Sequence, residues 1–109
     1  MNCGEIIIVN FQGAIGVKRR PAIIVSSDEY HKTRPDVILA VITNQISSAA
    51  STTDYLLQDW KTAGLHKPSA FRAYFGTYNQ REIVALIGKV SERDWSEIQK
   101  RINLAISAK

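Results

Sequence analysis

The chain has 109 residues, 45% of them hydrophobic and 22% charged, with a net charge of +4. That is the size and balance of one globular domain (1–109), with a real core but little to spare, so a second subunit would help it. The longest apolar runs, IIIV and VILAVI, fall far short of the roughly 20 residues a membrane helix needs. The opening MNCGE lacks a basic-then-apolar signal pattern, so a cytoplasmic protein with no membrane attachment is expected.

In chain order, Cys3 is alone and reads as a plain free thiol. Glu5 to Phe11 (EIIIVNF) reads as a strand apolar enough to be covered on both sides, and Gln12 to Val17, with two glycines, as a flexible loop. Lys18 and Arg19 lead into a second strand, Pro21 to Ser27. Proline donates no ladder hydrogen bond, so Pro21 belongs at the start or edge of its strand, and it holds Arg20 extended. The polar DEYHKTRP that follows reads as a loop, too short and too charged for a helix, before a third strand from Asp36 to Thr43. Pairing the two runs as a hairpin sets Ser27 beside Asp36 and, in the same register, Arg20 beside Thr43. Directly opposed residues point to one face of an antiparallel pair, so a fixed cation and a hydroxyl meet at the hairpin's open end.

NQISSAASTT then forms an exposed flap, and Asp54 to Gln58 a fourth strand. Asp59 to Pro68 is a turn-rich crossing anchored by Trp60 and Leu65. Ser69 to Thr77 alternates Ala70, Arg72 and Tyr74 against Phe71, Ala73 and Phe75, a strand with one polar face. Ile83 to Val90 is β-branched and reads as a sixth. Ser91 and Asp94 resemble a capping box, and Trp95, Ile98, Ile102 and Ile106 make one apolar stripe, so a helix closes the chain. The expected fold is mainly β (α+β): a small barrel or half-open sheet of five to six antiparallel strands with a C-terminal helix.

The positive charge gathers on Lys18, Arg19, Arg20, Lys32 and Arg34, with Lys61, Lys67 and Arg72 beyond; this suits a polyanion, nucleic acid or acidic polypeptide, or simply a basic surface. His31 and His66 have no Cys or carboxylate cluster at ligand spacing, so neither metal nor cofactor is expected. GAIGVKRR lacks the spacing of a phosphate loop. Ser26, Ser27 and His31 are close in sequence, but no third group is there to orient a nucleophile–base pair, and the serines read as turn residues.

Read together, GEIIIVNF, KRRPAIIVSSDEY and RPDVILAVIT, then LHKPSAFRAYFGT and IGKVSERDWSEIQKRI, resemble the PemK/MazF family of toxin–antitoxin toxins across nearly the whole chain, most closely its PemK-like branch. The resemblance implies an SH3-like, CcdB/MazF-like barrel, a homodimer and a metal-independent endoribonuclease that cuts single-stranded RNA at short preferred sequences. It also implies a cognate antitoxin whose flexible segment wraps the toxin, with DNA binding in that company. The arginine before the proline is Arg20 and the threonine ending the third strand is Thr43, the positions implicated in catalysis. Since a guanidinium is a poor base, Arg20 is assigned charge stabilisation and proton donation to the leaving oxygen. A gyrase poison of the CcdB type, acting by binding, and an inactive SH3-like RNA-binding module remain the rival readings.

Two departures stand out. QGAIGVK is shorter than the usual first connection, and Tyr74 stands where some relatives carry an acid, so a scheme built on that carboxylate does not transfer. His31 is then a candidate proton carrier. Arg72, on the side of Tyr74, is a candidate for phosphate binding or base stacking, against a structural salt bridge. Lys18, Arg19, Ser26, Ser27, Gln45, Ser69 and Tyr74 complete the candidate RNA contacts.

Overall fold

The computed structural model describes residues 1–13 and 16–107. Its strands are β1 (Glu5–Gly13), β2 (Gly16–Ile24), β3 (Asp36–Thr43), β4 (Tyr55–Leu56), β5 (Ala70–Asn79) and β6 (Ile83–Lys89); its helices are α1 (Asp28–Thr33) and α2 (Glu92–Ile106). One antiparallel sheet has the order β4-β5-β3-β2-β1-β6, which is the mainly β architecture with a C-terminal helix that the sequence predicts. Much of the expected loop from Gln12 to Val17 is strand, because β1 and β2 pair up to Gly13 opposite Gly16; Ala14 and Ile15 lie outside the described residues.

Alternation divides the buried side chains between two faces. Ile6, Ile23, Ala40, Ile42 and Phe71 point to one face and join Leu57, Ala63, Leu65 and, from α2, Ile98. Ile7, Val9, Ala22, Ile24, Val37 and Leu39 form a second cluster on the other face. Each Ile, Leu, Val or Phe side chain so buried contributes roughly 1.5–3 kcal/mol. The stripe on α2 works through Trp95, Ile98 and Ile102, whereas Ile106 at its end is exposed.

The edges of the sheet, β4 and β6, share no ladder, yet the chain closes the gap between them. The segment after β4 carries Ala63 and Gly64 against Ile87 and Gly88 of β6, so close that neither glycine has room for a Cβ. Gly64 also sits at φ +94°, a conformation glycine adopts freely. Trp60 and Leu65 anchor this crossing as expected, Leu65 in the core and Trp60 packed on it.

Three local expectations are corrected. The polar linker between β2 and β3 does hold a helix, α1. Its N-cap is Ser27, whose side chain accepts the Tyr30 N–H, and acidic residues in its first turn and basic ones in its last suit the helix dipole. Six residues do not sustain a helix alone; the Tyr30 hydroxyl donating to Asp36 at 2.6 Å and a 2.6 Å bond between Ser26 and His31 tie α1 to its neighbours. At the start of α2, Ser91 caps the Asp94 N–H, but the Asp94 carboxylate turns inward. It accepts from the Tyr55 hydroxyl (2.6 Å) and from the N–H groups of Gln58 (3.0 Å) and Asp59 (2.8 Å). The fourth strand shrinks to Tyr55–Leu56: Leu57 still donates to the Ser69 carbonyl at 3.0 Å, but from Gln58 on the chain bonds to this carboxylate instead of a ladder.

Candidate active site

The observed β2–β3 register is Ala22 opposite Val41, Ile23 opposite Ala40 and Ile24 opposite Leu39, the register predicted from the sequence. Continued by two residues it sets Arg20 across from Thr43. The bonded ladder stops short of them at Pro21, which has no N–H to give. Arg20 shares a face with Ala22 and Ile24, and Thr43 one with Leu39, so both belong to the second cluster's side of the sheet.

On that side a groove of about 480 Å³ runs along β1, β2, β3 and β5, and Lys18, Arg20, Gln45, Tyr74, Phe11 and Tyr78 all line it. Its walls are aromatic and its rim is cationic. Phe11 and Tyr78 stand 6.5 Å apart, ring centroid to centroid, while Tyr74 is 68% exposed and free to stack. Burial pushes the Tyr78 phenol above its ordinary range, so it stays a neutral hydroxyl.

A second cleft, of about 330 Å³, shares Arg20, Pro21, Ile42 and Asn44 with the first and adds Leu65, His66, Lys67 and Ser69. Arg20 and Asn44 therefore stand on the ridge between an aromatic groove and a cationic cleft. Thr43, half-buried beside them, lines neither; its Oγ accepts the Gln45 N–H at 3.1 Å, which leaves its own proton to donate. A guanidinium and a hydroxyl at such a ridge can hold the non-bridging oxygens of a phosphodiester whose flanking nucleotides enter the two clefts.

The remaining sequence candidates separate. Arg19 is exposed on β2 opposite Asn10, on the face away from Arg20. Ser27 is engaged as the α1 cap. Ser69 is 3% exposed and donates to the Lys67 carbonyl at 2.8 Å, so it shapes the second cleft from beneath. Arg72 pairs with the buried Asp54 at 3.8 Å, the structural salt bridge weighed against phosphate binding. Ser26 and His31 do meet, Oγ to Nε2, but Ser26 is 4% exposed, its Oγ also takes the Ile38 N–H at 3.0 Å, and the buried His31 Nδ1 has no partner to orient it. This pair sits at the closed end of the hairpin, away from Arg20.

Sequence reasoning did not name Asn44, took Lys67 only as part of the basic excess, and weighed His66 only as a metal ligand. Asn44 directly follows Thr43 in the chain; His66 and Lys67 lie in a turn-rich crossing with no periodicity to place them beside Arg20. Among the described residues no three His, Cys, Asp or Glu side chains gather as a metal site, and no helix is long and apolar enough to cross a membrane.

The family model described as PemK-like, MazF-like toxin of type II toxin-antitoxin system matches residues 2–106. Among solved structures, an endoribonuclease in complex with its cognate antitoxin from a mycobacterial species superposes with a TM-score of 0.83 at 16% identity, over 100% of this chain and 97% of that one. The Mycobacterium tuberculosis toxin MazF-mt6 gives 0.78 at 19% identity, over 96% and 98%. A MazE–MazF complex from Deinococcus radiodurans gives 0.74 at 14% identity, over 100% and 97%. Among curated protein sequences none matches the chain.

Proposed function

The chain belongs to the PemK-like, MazF-like toxins of type II toxin–antitoxin systems, and on that premise we propose that it is a metal-independent, sequence-specific endoribonuclease of single-stranded mRNA in the cytoplasm, active as a homodimer. Arg20 and Thr43 are its catalytic residues, and a cognate antitoxin silences it by laying a flexible segment across the groove. The observation that carries this reading is the position of Arg20 on the ridge between the two clefts, with Thr43 opposite it in register.

The 2′-hydroxyl attacks the adjacent phosphorus as the bond to the 5′-oxygen breaks, leaving a 2′,3′-cyclic phosphate or 3′-phosphate and a 5′-hydroxyl. Negative charge grows on the non-bridging oxygens. A guanidinium prefers that planar, charge-assisted contact, and Pro21 and the β1–β2 ladder hold its backbone. One preorganised donor of this kind is worth roughly 3–4 kcal/mol in other enzymes. Lys18 and Gln45 are proposed to bind phosphate and base edge in the groove, with Tyr74 stacking a base at about 1–3 kcal/mol.

The deciding experiment incubates the purified protein, in EDTA, with a long unstructured RNA beside Arg20→Ala and Thr43→Val. Discrete cuts by the wild type with 5′-hydroxyl ends, slowed by two to three orders of magnitude in each variant, are expected. An uncut RNA in the presence of folded, antitoxin-free protein would refute the nuclease and favour a toxin that acts by binding.

A further inference from the structure

The catalytic pair lacks a group suited to moving a proton near neutral pH. Arg20 is always charged and releases its proton poorly, Thr43 supplies only a hydroxyl, and His31 is held away with Ser26. The second cleft supplies what is missing. His66 lines it together with Arg20, and the chain holds His66 in place from both sides. On one side Leu65 is buried in the core and Gly64 lies against the β6 backbone. On the other, the Lys67 carbonyl is bonded by the buried Ser69. What stays exposed between these clamps is His66, Lys67 and Pro68.

We infer that His66 is a further catalytic residue, the general acid that protonates the departing 5′-oxygen, and that the cationic cleft takes the nucleotide on the 3′ side of the cut. The inference rests on the nuclease reading above. As the 2′-oxygen–phosphorus bond forms and the phosphorus–5′-oxygen bond breaks, the imidazolium gives its proton to the 5′-oxygen. The 2′-hydroxyl proton leaves to water, and His66 regains a proton from solvent; nothing is oxidised or reduced. Arg20 on β2 and Lys67 beside His66 are the charged residues lining the cleft among the described residues, with Asn44 and Ser69 polar and β1 and β6 contributing Ile8 and Ile87. No carboxylate there competes for the proton. An imidazole changes charge between about pH 5 and 8, which suits this task.

The test uses a short RNA carrying one cut site mapped in the experiment above, in two forms: the normal 5′-oxygen, and sulfur in its place at the scissile bond. A thiolate departs without needing a proton. His66→Gln is expected to cut the oxygen substrate some 10²–10³-fold more slowly at similar KM, and the sulfur substrate at the wild-type rate. The wild-type rate on the oxygen substrate should fall as pH rises through the imidazole range, and the variant should lose that limb. Arg20→Ala should fail on both substrates, since charge stabilisation is needed by either leaving group. Equal slowing of His66→Gln on both substrates, or no slowing on either, would overturn the role while leaving the nuclease reading intact. A wild type that cuts neither would overturn the nuclease reading and this role with it.

Discussion

Gly64 and Gly88 meet backbone to backbone across the seam that turns an open sheet into a barrel. A methyl group on Gly88 would overlap the Ala63 carbonyl, and one on Gly64 the carbonyl of Ile87. The obstacle is main chain on both sides, which cannot swing away as a flexible side chain would. Gly88→Ala should therefore destabilise the fold by roughly 2–3 kcal/mol through overpacking, read as a lower urea midpoint. An unchanged midpoint would mean that the seam does not hold the barrel. Because His66 lies two residues beyond Gly64, the folded fraction of Gly88→Ala should also cut RNA more slowly.

Asp94 replaces a ladder with a carboxylate. It is fully buried and satisfies the Tyr55 hydroxyl and two N–H groups of the crossing. Asp94→Ala strands all three donors, so a loss of about 3 kcal/mol or more is expected in urea unfolding. Tyr55→Phe removes one donor and should cost about 1–2 kcal/mol. Similar small effects from both would show that water, not the crossing, occupies that carboxylate.

Acid unfolding has a local signature at Asp59. Two bonds from the Arg93 guanidinium at 2.7 Å, with help from the Ser91 hydroxyl, hold its carboxyl down at about 2 against an ordinary 3.8. A folded-state value below the unfolded one stabilises the fold above the unfolded value and loses that contribution as pH falls. The stability difference between wild type and Arg93→Gln should thus be level above about pH 5 and shrink between about pH 4 and 2. A difference that persists undiminished at pH 2 would contradict the pairing.

Ser26 and His31 form a bond that invites a catalytic reading and supports a structural one. Ser26→Ala leaves the Ile38 N–H and the His31 ring without their partner. A loss of roughly 1–2 kcal/mol in stability is expected, with RNA cleavage per folded molecule unchanged. A tenfold fall in that rate with stability preserved would return this pair to the active site.

Binding of uncut RNA by Arg20→Ala should weaken steeply with salt, by about 0.7 in the logarithmic slope for each phosphate contacted. Lys18→Ala should lower the slope by about that much, whereas Lys32→Ala, on the exposed α1, should leave it unchanged. A flat salt response would place the groove's affinity in stacking rather than in phosphate contacts.

Sequence alone determined the six strands, though not the bounds of β2 and β4, the C-terminal helix, and the hairpin register that sets Arg20 beside Thr43. Those features rest on alternation, helical spacing and the missing N–H of Pro21, all of which act between near neighbours or directly paired residues. It misjudged the DEYHKTRP linker, because six polar residues become a helix only through Tyr30 bonding to Asp36 and His31 to Ser26. It also read Asp94 as a local cap, when its carboxylate crosses to residues 55, 58 and 59. Only the tertiary structure decided which candidates share a surface: it drew Lys18, Gln45 and Tyr74 to Arg20, engaged Ser26 and Arg72 elsewhere, and brought in Asn44, His66 and Lys67. The placement of His66 depends on Gly64 finding Gly88 across the barrel, a close approach that no local periodicity encodes and that exists only once the core has packed.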